Sequence, residues 1–125
     1  MTPLVFLAVC AAGGVGSASR FVVDGLVRTR FRTVFPAGTA IINISGSFIL
    51  GLLTGLMLGS VLPQGWELIL GTGIMGGYTT FSTASVETMR LVQQREYSQA
   101  VVNGFGVILA TVLVGLAGLW LGSIL

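Results

Sequence analysis

An all-α membrane protein of four transmembrane helices, the third of them broken, is the fold class this sequence predicts, and three observations predict it. First, 54% of the 125 residues are hydrophobic and only 8% are charged, whereas about a quarter of a soluble domain is charged. Second, four charge-poor stretches, 3–23, 37–62, 66–89 and 98–125, each approach the ~20 residues that cross a bilayer, and together they take up nearly the whole chain as one domain. Third, residues 71–87 read GTGIMGGYTTFSTASVE, two adjacent glycines and a dense run of hydroxyls at the centre of an otherwise apolar span. Lipid offers backbone groups no hydrogen bonds, so the spans must be helices or barrel strands, and unbroken apolar runs without alternation exclude strands.

The first stretch lacks a basic leading region and already carries Gly13, Gly14, Gly16 and Arg20, so it reads as a mature helix rather than a secretory signal. Cys10 lies alone within it and has no intrachain partner for a disulfide.

In the second stretch Gly51, Gly55 and Gly59 recur every fourth residue, as Gly118 and Gly122 do in the fourth, with Gly115 on the adjoining face. Such small-residue faces let helices pack backbone to backbone. Asn43 differs, because an amide at mid-depth has four hydrogen-bonding sites that hydrocarbon cannot satisfy. It must face either a partner helix or a polar path, and Thr39 and Ser47, one turn to either side, extend it into a polar track.

The third stretch is not written like an ordinary helix. Gly76 and Gly77 weaken helical geometry, and Thr79, Thr80, Ser82, Thr83 and Ser85 can replace the lost partners of freed carbonyls. A break here would put bare carbonyls and half-helix ends at bilayer depth, where they coordinate a cation or receive an anion. The bland alternative is a hinge whose hydroxyls bond back to the preceding turn. Glu87 falls beside Arg90 near the end of the span and reads as interfacial. The fourth stretch adds Asn103 and Thr111 on roughly one face. Trp66 and Tyr97 stand where the third and fourth helices begin, as interfacial anchors do, while Trp120 lies deeper.

With four crossings both termini and the 60–65 turn share one side. All six basic residues are arginines, at 20, 28, 30, 32, 90 and 95, and all belong to the opposite side. The positive-inside rule therefore places both termini outside. The arginines form no dense patch interleaved with aromatics, which argues against nucleic acid as a partner. The chain has no His, hence no typical transition-metal site, and no nucleophile with a convincing base, which argues against an enzyme.

Three segments, GGVGSASR at 13–20, PAGTAIINISGSFILG at 36–51 and GGYTTFST at 76–83, resemble the Fluc/CrcB fluoride-channel family across essentially the full length. The resemblance implies a passive, fluoride-selective channel in the plasma membrane that lowers cytoplasmic fluoride. It also implies an antiparallel dimer with two pores along the subunit interface and a structural Na⁺ at its centre. Gly76 and Thr79 match the family's sodium positions, and Asn43, Phe81, Ser82 and Thr83 its fluoride path, with Thr111 joining from the fourth helix. Arg20 resembles the vestibule arginine.

Two departures qualify it. Ala84 stands where the motif carries a second phenylalanine, and the six-to-none arginine bias is unlike a chain that inserts both ways. Both point to an oppositely inserted paralogous partner rather than a second copy of the same chain. The rivals are a small four-helix multidrug transporter, which needs a carboxylate deep in the first helix where only Asp24 lies nearby, and a nonconducting membrane assembly subunit.

Overall fold

The computed structural model describes residues 2–125, which are helical throughout apart from short turns and one internal break. The first helix is Pro3–Arg30. The Thr2 hydroxyl caps it by accepting from the Val5 N–H at 3.2 Å, with proline in the first turn. It runs past Val23 to Arg30 because Asp24 and Arg28 pair one turn apart at 3.0 Å and basic residues occupy its last turn.

The second helix is Ala37–Leu58, closing before the expected Leu62. Ser60 takes a left-handed backbone (φ 62°), so the Val61 N–H reaches the Leu56 carbonyl (2.9 Å) and the Ser60 N–H the Met57 carbonyl (3.0 Å). This is a Schellman closure. Arg95 (φ 60°) closes the third helix likewise, with the Glu96 N–H on the Leu91 carbonyl at 2.8 Å.

The third helix comes in two pieces. A leading half, 64–78, winds in wide π-type turns over Leu68–Met75, and a trailing half spans Phe81–Gln93. The break is thus present, but at Thr79–Thr80 rather than at the glycine pair. Thr79 (φ −79°, ψ 158°) and Thr80 (φ −151°, ψ 124°) are extended, the backbone that β-branched residues favour. Gly76 and Gly77 stay helical, and Gly77 serves packing instead: a Cβ there would overlap the Gly13 carbonyl.

The fourth helix, Tyr97–Ile124, contains one π-type turn at Val102–Gly106. Together with the first and second it is long and apolar enough to cross a bilayer. The third crossing is made from two shorter pieces, which gives a multi-pass membrane protein.

Packing follows the small residues. A Cβ at Gly51 or Gly55 would strike the Gly115 or Leu119 carbonyl, and one at Gly118 or Gly122 the Phe48 or Leu52 carbonyl. The second and fourth helices therefore meet backbone to backbone. Gly59 lies outside this seam, its nearest neighbour an ordinary 3.5 Å from a Cβ, because the helix has already ended. The first helix meets the leading half the same way, Gly16 lying against the Ile74 carbonyl. Among the described residues Ile42 is the only large side chain fully buried, while Phe21, Phe105 and Trp120 stand outward. Little of the apolar surface is hidden inside, as befits a chain solvated by lipid and by other helices.

Candidate functional site

The site grows from the break. A helix lacking one turn of hydrogen bonds at membrane depth needs substitutes for each freed group, and neighbouring side chains provide them. Asn43 on the second helix donates from Nδ2 to the Thr80 carbonyl and accepts at Oδ1 from the Thr80 N–H, both at 2.8 Å. The amide has no alternative orientation, since a flip would set acceptor on acceptor and donor on donor. The Thr80 hydroxyl then caps the trailing half by accepting from the Thr83 N–H at 3.3 Å. On the leading side, the Thr79 hydroxyl and N–H both donate to the Met75 carbonyl, at 3.0 and 2.9 Å.

Two further clamps were not legible as such in the sequence. The Ser17 hydroxyl donates to the Gly77 carbonyl at 3.3 Å. The Ser45 hydroxyl donates to the Ile42 carbonyl at 3.2 Å, so the Tyr78 phenol, 3.1 Å away, donates to Ser45. The signal for the second was a phenol and a hydroxyl in apolar spans, each needing a partner.

Beside the break lies a groove of about 480 Å³ between the second helix, the break with the trailing half, and the fourth helix. Asn43, Phe81 and Thr111 come together on its wall, with Ser47, Ala84 and Asn103. One of the two Nδ2 hydrogens of Asn43 is spent on Thr80, leaving the other for the groove. The Phe81 ring is 76% exposed on the rim. No carboxylate lines the groove.

Other residues expected at the site fall elsewhere. Ser82 and Thr83 turn to a separate cleft with Arg28, Glu87 and Arg90. Thr39 is buried away from the groove. Ser85 and Thr88 line the groove, but their hydroxyls donate back to the Phe81 (3.0 Å) and Ala84 (2.8 Å) carbonyls, as Thr111 does to Ile108 (2.6 Å). Arg20 is half-buried on the first helix and has no ion pair among the described residues. Gly76 is exposed, and a Cβ there would meet nothing within 4 Å, so the chain's own packing does not require glycine at that position.

The chain matches the model of a family described as CrcB-like protein, Camphor Resistance (CrcB), over residues 7–123. It is 54% identical over 124 residues to the fluoride-specific ion channel FluC 1 of Leifsonia xyli, covering 99% of this chain and 90% of that protein. It is 42% identical over 121 residues to FluC 2 of Cutibacterium acnes, covering 96% and 98%. Against FluC 2 of Mycobacterium tuberculosis it is 42% identical over 123 residues, covering 98% and 91%.

Proposed function

Since the chain belongs to the CrcB family, we propose that it is a subunit of a fluoride-selective channel that lets the anion leave the cytoplasm down its gradient, with no chemical step and no energy coupling. The observation that carries this reading is the Asn43 amide. It secures the break through Thr80 and retains one N–H on a groove that no carboxylate lines. Fluoride is costly to dehydrate, so its path must offer donors and no fixed negative charge. Beside that N–H, the Phe81 ring edge adds the electropositive rim of an aromatic quadrupole. The Ser47 hydroxyl on the same wall can rotate toward a passing anion, and the Thr111 hydroxyl would join it on leaving the Ile108 carbonyl it now holds at 2.6 Å. The relatives are named as fluoride-specific ion channels, and the groove fits that cargo. A multidrug transporter would want a free carboxylate deep in the first helix, and Asp24 is instead engaged by Arg28 at 3.0 Å.

The groove is open along one side and Phe81 projects from it, which supports completion by a second subunit in antiparallel orientation. Ala84 on the groove wall and the arginine bias favour a paralogous partner, in keeping with the ordinal numbers in the relatives' names. The same bias supports an orientation with both termini outside. Ser82 and Thr83 would belong to the partner-facing side of the path, and Arg20 to its vestibule.

Sodium fits as a structural ion at the subunit interface. In a continuous helix the Gly76 carbonyl would receive the Thr80 N–H, but that N–H goes to Asn43. Gly76 therefore offers a freed neutral oxygen on an exposed face, with Thr79 beside it. Unwound carbonyls of this kind hold Na⁺ without buried carboxylates. The bound ion would join two chains electrostatically.

Fluoride efflux from KF-loaded liposomes tests the reading, using the chain purified alone and coexpressed with a paralogue from the same genome. Efflux only with the paralogue is expected. Efflux from the lone chain would establish a homomeric channel, and silence in both would overturn the channel reading.

A further inference from the structure

We propose that Asn103 is a positioning residue of the conduction groove, fixing the trailing half of the third helix against the fourth through Thr88 and the Ala84 carbonyl. The inference deepens the channel reading and rests on it for its consequence in transport, though not for its structural content.

Asn103 is 3% exposed. Its Nδ2 donates to the Thr88 hydroxyl at 2.8 Å and, at 3.4 Å, to the Ala84 carbonyl. The Thr88 hydroxyl itself donates to that carbonyl at 2.8 Å, which closes a triangle of three groups. Because the Thr88 proton is committed to Ala84, its lone pairs face Asn103, and the amide must present N–H to it. The Nδ2 group thus faces Thr88 and the Ala84 carbonyl, and Asn103, although it borders the groove, acts on it through the helix it holds.

That helix needs holding. Of the thirteen residues of Phe81–Gln93, only Leu91 is buried within the subunit, so the subunit's own apolar packing does little to fix its place. Polar anchors in a medium without water must do it. One is the Asn43 clamp on Thr80 at the start of the half-helix, and the other is Asn103 on Thr88 two turns along. Phe81, Ala84 and Ser85, which face the groove, lie between the two anchors. The fourth helix is shaped for the second anchor. Its π-type turn at Val102–Gly106 contains Asn103, and a Cβ at Gly104 would come within 3.3 Å of the Thr88 methyl, so the glycine permits the approach.

The experiment uses the full chain, assembled with its paralogue where efflux requires one, and compares Asn103→Leu, Thr88→Val, the double variant and Thr88→Ser. Two readouts are taken: per-channel fluoride efflux scored separately from the fraction of active liposomes, and hydrogen–deuterium exchange over 81–93 in the purified protein. Asn103→Leu and Thr88→Val should each lower per-channel efflux about tenfold, the factor one such hydrogen bond carries, with the active fraction unchanged. The double variant should be no worse than either single, and Thr88→Ser should match the parent. Exchange should rise over 81–93 and stay constant over the second helix. Unchanged exchange in Asn103→Leu, or a double variant falling by the product of the singles, would overturn the proposal. If the parent releases no fluoride, the channel reading fails, and exchange over 81–93 still decides whether Asn103 holds the half-helix.

Discussion

Asn43 grips both backbone polar groups of Thr80, donating to its carbonyl and accepting from its N–H at 2.8 Å each. One side chain thus takes the place of two missing helical partners. Replacing it separates structure from conduction only in part, because the same amide serves both.

Asn43→Asp keeps the acceptor for the Thr80 N–H but sets an oxygen against the Thr80 carbonyl and places negative charge beside the groove. Leaving a buried carbonyl unpaired costs about 1–3 kcal/mol, roughly ten- to hundredfold in an equilibrium, and anion repulsion adds to it. Fluoride efflux from this variant is expected to fall by at least that factor. Efflux at the parental rate would show that the amide donor is not on the path.

Ala84→Phe tests the departure from the family motif. Ala84 lines a groove of about 480 Å³, room enough for a ring. If its loss disables one of two pores, the substitution raises fluoride efflux in preparations of this chain alone, where the parent is silent. No gain in the lone chain, despite monodisperse protein, would remove Ala84 from the case for a paralogous partner.

The glycine seam predicts sharply unequal costs for one substitution. Gly55→Ala and Gly118→Ala each drive a methyl into a backbone carbonyl of the facing helix and should destabilise by about 1–3 kcal/mol or more. Gly14→Ala meets nothing within 4 Å and should be neutral. Gly76→Ala likewise leaves the isolated subunit unaffected and weakens only what the exposed Gly76 face binds. Thermal unfolding in detergent ranks the four, and equal effects would contradict the packing described.

Ser60 and Arg95 hold left-handed backbones without being glycine. That conformation costs an L-residue roughly 1–2 kcal/mol, so Ser60→Gly should raise the unfolding temperature. Arg95→Gly should do the same while removing one charge from the arginine-rich side.

The sequence made the scaffold legible where a physical constraint allowed one answer. Apolar runs of bilayer length had to be helices, and the four-residue glycine spacing of 51, 55, 118 and 122 marked the seam that forms. Asn43 was legible as an amide that could not stay unpaired. The break was legible as a break but not at its position, because the extended preference of Thr79–Thr80 prevails over the flexibility of glycines needed for packing. Beyond the break the rotational phase of the trailing helix starts anew, so the sequence could not tell that Ser82 and Thr83 turn from the groove while Ser85 and Thr88 face it. Thr39 failed for a related reason: positions four apart on a 3.6-residue helix drift by ~40° per step, which carries Thr39 off the face of Ser47.

The most direct test of the central claim compares anion efflux from liposomes holding the parental assembly and its Asn43→Leu variant, loaded in turn with KF and KCl and made permeable to K⁺. Fast fluoride release and negligible chloride release are expected from the parent, and loss of fluoride release from the variant. Equal release of both anions, or fluoride release indifferent to Asn43, would contradict it.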